Sequence, residues 1–293
     1  MTLLSKFLTG RPVWAVTFKG FDTSAWRAVL PSIQAVRIDN VAEYWARSSQ
    51  EFWSIHDVPV VSPPFARMWL ESRRPRWLTS AGAGTIDTSG RLPERWAAYV
   101  ESRRDADGWE VRALCVMEVA EIQHPVVMGS ASFRLDTTGR CLKDGMDGWA
   151  FRWAFPAWHQ RQQEEIKEYV GGLLQPVWLA LGFMNCRNVS RRDVPTNRAE
   201  RRQADRAGVG GVRFCELEIG PMTRALDADG AAPAHGLGKA LHICRGHFVT
   251  YDERPLFGKH RGTFWKPAHV RGAAERGVVV KDYRVLPPNE GAA

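Results

Sequence analysis

No uninterrupted apolar run in the 293 residues approaches the length of about 18 that a membrane-spanning helix needs. The opening residues, MTLLSKFLTG, carry one early lysine and lack the apolar stretch of roughly 7–15 residues found in a secretory signal, so export is not expected. Cysteine is scarce. The five thiols, Cys115, Cys141, Cys186, Cys215 and Cys244, are odd in number and irregular in spacing, which is no disulfide framework. Free thiols in a reducing cytoplasm are the simplest account. Phosphate-binding glycine patterns are missing too. Gly236-Leu-Gly238-Lys239-Ala240 lacks the glycine five residues before Gly238 and the Ser or Thr after Lys239. Gly82-Ala-Gly84 lacks a third glycine, and there is no Gly-x-Ser-x-Gly elbow. Internal repeats and low-complexity tracts are absent.

What is present describes a folded protein. Thirteen Trp and thirteen Phe favour collapse, and 25% charged and 44% hydrophobic residues are ordinary for a globular chain. The formal charge of +8 is unevenly placed. Arg187–Ala293 holds 19 basic against 12 acidic residues, and the first 186 residues hold 21 against 20. A cationic segment on a near-neutral scaffold fits RNA or another nucleic acid as partner. An acidic host protein is the alternative, and basic segments also simply keep proteins soluble. No membrane partner is expected, and the sequence does not fix an oligomeric state.

The periodicities predict an α+β fold with a mostly antiparallel sheet, one long helix and an Arg-rich arm. Strands are expected at Val13–Phe18, Phe65–Glu71, Trp109–Glu121, Pro125–Leu135, near Trp149–Phe155, at Val212–Ile219 and at Val278–Val285. Short helices are expected over Thr23–Leu30 and Val41–Ile55, and loops over 78–95 and 221–238. The long helix is placed at Ala157–Phe183, where Ile166, Val170, Leu173, Leu174, Val177 and Leu181 recur at three- and four-residue spacing. Gly171, Gly172 and Pro176 should weaken or kink it. Residues 1–184 read as a scaffold domain. Residues 185–211 read as an exposed arm or linker, with Arg187, Arg191, Arg192, Arg198, Arg201, Arg202 and Arg206 and some helix after Thr196. Residues 212–293 read as a β-rich basic C-terminal part.

Chemistry-bearing side chains are densest from Leu241 to Gly272, which holds four of the eight histidines. Ala240–Tyr251 and Gly262–Val270 read as the two strands of a hairpin. Alternation puts Arg245, His247 and Tyr251 on one face of the first strand, and Trp265, Pro267, His269 and Arg271 on one face of the second. Pairing would then set His247 and Arg245 beside His269 and Arg271. Two histidines with cationic and phenolic support suit metal-independent RNA cleavage. One imidazole takes the 2′-hydroxyl proton, the other protonates the leaving 5′-oxygen, and a cation stabilises the phosphorane. Histidine fits because its ordinary titration lies near neutrality. The expected catalytic set is His247, His269 and Tyr251. The expected phosphate contacts are Arg245, Lys259, Lys266 and Arg271, with Arg191, Arg192, Arg198, Arg201 and Arg202 of the arm. The same residues also suit a non-catalytic phosphate patch or plain hydrogen bonding at a sheet rim.

No metal or cofactor is expected. Cys244, His247, His260 and His269 are zinc-type ligands. On a regular strand, however, Cys244 and His247 point to opposite faces, so only a tight turn at Gly246 would let them share an ion. Glu216 and Glu218 share a strand face and could hold Mg²⁺, but a solvated edge explains them as well.

The blocks Cys244-Arg-Gly-His-Phe248, Pro255-Leu-Phe-Gly258, Gly262-Thr-Phe-Trp265 and His269-Val-Arg-Gly272 resemble the end of uncharacterised proteins from phages and mobile elements. Asn185-Cys-Arg-Asn-Val189, Pro63-Pro-Phe65 and Met68-Trp-Leu-Glu71 are similar to the same group. The resemblance covers about a third of the chain in scattered blocks and implies a phage or prophage origin. A looser likeness, by analogy alone, is to endoribonucleases of the barnase and RelE toxin type, which set basic and histidine residues on an antiparallel sheet.

Overall fold

A computed structural model describes residues 2–9, 13–14, 29, 32–48, 58–73, 95–118, 125–142, 160–195, 198–206, 208, 210, 212–219, 240–244, 246–266, 269–271, 273–279 and 285–286. Within them the chain is α+β, as its periodicities predict. The first of two compact units comprises Met1–Asn185 and Arg191–Glu218. The second comprises Cys186–Ser190 and Ile219–Ala293.

Helices α1 (Leu3–Thr9), α2 (Asp39–Ser48), α3 (Gln160–Met184) and α4 (Arg198–Arg206) accompany an eight-stranded sheet. Its strands are β1 (Val13–Trp14), β2 (Gln34–Arg37), β3 (Arg67–Arg73), β4 (Arg95–Arg104), β5 (Trp109–Glu118), β6 (Val126–Leu135), β7 (Val189–Asp193) and β8 (Phe214–Ile219). The order is β1-β6-β5-β4-β3-β2-β8-β7. The middle, β3 to β6, is antiparallel. On one side β1 runs parallel to β6, and on the other β2 runs parallel to both β3 and β8.

Both faces of this sheet are buried. On one, Ala35, Trp69, Ala97, Tyr99, Leu114, Val116 and Phe214 pack with Leu3, Leu4 and Phe7 of α1. On the other, the Phe133 ring meets Trp178 of α3 edge-on at 4.8 Å. The three- and four-residue spacing of α3 has the expected consequence: Val170, Leu173, Leu174, Val177 and Leu181 are all buried. Pro176 lies inside the helix and does not end it. A buried carboxylate fixes α1. Glu71 accepts from the backbone N–H of Leu3 (3.0 Å) and Leu4 (3.3 Å) and from Trp69 Nε1 (3.0 Å). These satisfy donors that the first turn of a helix leaves unpaired. Gly108, in the turn from β4 to β5, has φ +141°, and a Cβ there would sit 2.0 Å from the Leu135 carbonyl oxygen.

The second unit contains a two-stranded ladder of β10 (His247–Leu256) and β11 (His260–Lys266). It also contains a sheet ordered β12-β9-β13-β14, from β9 (Ala240–Cys244), β12 (His269–Arg271), β13 (Ala273–Val279) and β14 (Val285–Leu286).

Several expectations change. The region read as an exposed arm begins with an edge strand, β7, while the helix expected after Thr196 is α4. A strand that no alternation announces, β4, occupies Arg95–Arg104. The expected elements at Thr23–Leu30 (apart from Val29) and near Trp149–Phe155, and the loops over 78–94 and 221–238, lie outside the described residues.

Candidate nucleic-acid interface

The described core of the hairpin is built by cross-strand pairs. Phe248 faces Trp265, Val249 faces Phe264, Thr250 faces Thr263 and Tyr251 faces Gly262. On one face the Phe248 and Trp265 rings meet at 4.8 Å, and the Thr250 and Thr263 hydroxyls are 3.0 Å apart. The segment Cys186–Ser190 lines the edge of β11, where the Arg187 N–H donates to the Thr263 carbonyl at 2.8 Å. Asn188 holds both backbone groups of Trp265, with Oδ1 accepting its N–H at 2.9 Å and Nδ2 donating to its carbonyl at 2.7 Å. The second asparagine of the Asn185-Cys-Arg-Asn-Val189 block, Asn188, is thus a backbone clamp, a role that spacing alone does not disclose.

The opposite face carries functional side chains. Exposed His247 pairs with Lys266. Lys266 Nζ lies over the Tyr251 ring at 5.5 Å, and Tyr251 meets Phe264 at 5.9 Å. The structure therefore brings His247, Lys266 and Tyr251 together on one strand face.

It does not pair His247 with His269. His269 stands opposite Cys244 and Arg271 opposite His242, in the ladder of β9 and β12. The cause is an irregularity in β10. From Leu256↔His260 to Tyr251↔Gly262, β10 moves five residues and β11 only two. Even counting from the turn would put His247 opposite His269. The extra residues on β10 shift the partner to Lys266, and a shift by an odd number also exchanges faces. Arg245 and the side chains of His269 and Arg271 lie outside the described residues.

The two ends of the Arg-rich stretch differ. Arg191 stacks over the Phe65 ring at 4.9 Å. The Arg192 guanidinium reaches Glu216 at 3.3 Å and Glu218 at 3.5 Å. The carboxylates considered for Mg²⁺ do share a face, and an arginine lies across both. On α4, by contrast, Arg198, Arg201, Arg202 and Arg206 are all exposed. Ala204 turns that helix, packing against the core cluster of the sheet. None of the four arginines has a salt bridge to an acid among the described residues.

The turn of the hairpin holds one residue to which the sequence assigned no role, Phe257, beside the expected Lys259. Phe257 is 56% exposed and has φ +53°, a left-handed conformation that costs a bulky residue roughly 1–2 kcal/mol. Gly258 follows at φ +73°. Arg254, Lys259 and Arg261 around it are exposed. The Pro255-Leu-Phe-Gly258 block was the only sequence signal.

Burial suppresses thiol chemistry at Cys115, Cys141, Cys186 and Cys215. Burial pushes Cys115 and Cys186 up to about 12 and half-buried Cys141 to about 11, so none is a ready nucleophile. Among the described residues no group of three or more His, Cys, Asp or Glu converges on a metal position. None of the described helices is long and apolar enough to cross a membrane.

No protein-family model matches the chain, and no curated protein matches it. Among solved structures it is similar to the crystal structure of AcrVA2, at 13% identity and a TM-score of 0.35, over 83% of this chain and 72% of that one. A likeness of that size transfers neither fold nor function.

Proposed function

We propose that the chain is a nucleic-acid-binding protein of phage or mobile-element type, acting in the cytoplasm on RNA or another polyanion. One observation carries this. Arg198, Arg201, Arg202 and Arg206 project from a helix whose other side, at Ala204, is packed on the core. Such a helix presents cations from a fixed base, and each phosphate it neutralises releases counterions. The second unit carries exposed cations of its own on the hairpin, Arg254, Lys259 and Arg261.

The test is fluorescence anisotropy with labelled single-stranded RNA and DNA from about 50 to 200 mM salt. Binding that weakens steeply with salt supports the proposal. No binding to either strand at the lowest salt, with tight binding to an acidic protein instead, overturns it in favour of a protein-binding accessory factor.

One further observation favours a second reading, metal-independent RNA cleavage: His247, Lys266 and Tyr251 share a face. His247 would take the 2′-hydroxyl proton. The 2′-oxygen would then attack phosphorus, the bond to the 5′-oxygen would break as that oxygen takes the proton of the Tyr251 hydroxyl, and a 2′,3′-cyclic phosphate would remain. The proton held by His247 would then return to Tyr251 through solvent. Lys266 would stabilise the phosphorane. RNA incubated with the protein in EDTA should yield that cyclic phosphate, and His247→Ala should stop it. Intact RNA removes the cleavage reading and leaves the binding one.

A further inference from the structure

We infer that the tip of the β10–β11 hairpin is a base-stacking finger. Phe257 lies against a nucleobase of a single strand while Lys259 and Arg261 hold neighbouring phosphates. This rests on the nucleic-acid reading and adds to it a distinct contact, to the base rather than the backbone.

Three observations converge on Phe257. At 56% exposure it is one of two exposed large apolar side chains among the described residues; the other, Leu142, is 41% exposed. It keeps a left-handed backbone at φ +53° beside Gly258, a residue better suited to that conformation. A bulky residue held there is one that the turn itself does not require. Exposed Arg254, Lys259 and Arg261 stand within four residues of it, against one acid in the same span, exposed Glu253.

The chemistry selects the occupant. A phosphate gains nothing from an aromatic face, but every base has a π-face that stacks on one. An apolar protein pocket that swallowed Phe257 would also desolvate the cations beside it, at a cost unless acids met them. A single strand supplies the stacked ring and the phosphates together, with a spacing that suits a short finger.

The test compares two strands of equal charge, about 12 nucleotides long to span a typical site. One is an ordinary labelled oligonucleotide, and the other is built of abasic units throughout. Wild-type protein should bind the ordinary strand roughly 5- to 100-fold more tightly, the range expected for one stacked base. Phe257→Ala should lose that preference while keeping its salt dependence and its melting temperature. Phe257→Trp should restore the preference. If wild type binds neither strand, the nucleic-acid reading falls and the finger with it. If wild type prefers the ordinary strand and Phe257→Ala does so equally, the finger alone is overturned, and the tip is left to an apolar protein partner.

Discussion

Arg191 and Arg192 of β7 and the four arginines of α4 come from one basic stretch, yet the fold treats them in opposite ways. The β7 pair is engaged, one over Phe65 and the other across Glu216 and Glu218. The α4 set faces solvent. The difference is one of register and packing, not of composition. β7 lies beside β8, so its arginines meet the carboxylates of the neighbouring strand. α4 touches the core through a small residue, so its long side chains point away. Charge counting therefore overstates the binding surface, and the same contrast recurs between buried Glu71 and the exposed hairpin turn.

The contrast can be broken at several points. The largest stability effect is expected at Glu71. Glu71→Ala strands three buried donors, at roughly 1–3 kcal/mol for each that water does not reach. A loss of about 3 kcal/mol, or roughly 5–7 °C in melting temperature, should follow. A change below about 2 °C would mean that α1 does not depend on this carboxylate.

Arg192→Gln should cost less, about 0.2–1 kcal/mol, because the pair with Glu216 and Glu218 is solvent-exposed. Its sharper signature is rescue. Adding Glu216→Gln and Glu218→Gln should recover most of the loss, because the uncompensated carboxylates are then gone. A double-mutant cycle with no coupling would place Arg192 with the α4 set.

Alkaline pH gives a smaller, graded effect. Burial holds the Cys115 and Cys186 thiols protonated up to about 12, against an ordinary value of about 8.5. Between those values the native chain binds more protons than the unfolded one, so stability falls as pH rises above about 9. Urea midpoints measured from pH 8 to 10.5 should decline, and Cys115→Ala with Cys186→Ala should flatten the decline. An equal slope in the double variant would show that the thiols do not carry it.

Much of the scaffold was legible in the sequence. The spacing from Val170 to Leu181 is the signature of a helix with one apolar side, and β5 and β6 follow from their β-branched and aromatic runs. β4 was not legible. It is buried on both faces, so Trp96, Ala97, Ala98, Tyr99 and Val100 show no alternation to mark it. β7 was missed because four of its five residues are exposed and two of them are arginines. The site was half legible. Alternation puts His247 and Tyr251 on one face of β10, but each expected strand is split between two sheets, Ala240–Tyr251 into β9 and β10 and Gly262–Val270 into β11 and β12, and Trp265 falls on the face opposite His247. The partner of His247 depends on an irregularity between Tyr251 and Leu256 that leaves no mark in composition. Phe257 was passed over because a positive φ belongs to the backbone, and a phenylalanine does not advertise it.

The most direct measurement is the salt dependence of single-stranded RNA binding by a variant in which Arg198, Arg201, Arg202 and Arg206 are all glutamine. Each lost phosphate contact lowers the slope of log K against log salt by about 0.7 on a single strand, so a fall of about 3 is expected, with the melting temperature unchanged. An unchanged slope, or the same fall from changing Arg191 and Arg192 instead, would contradict the account.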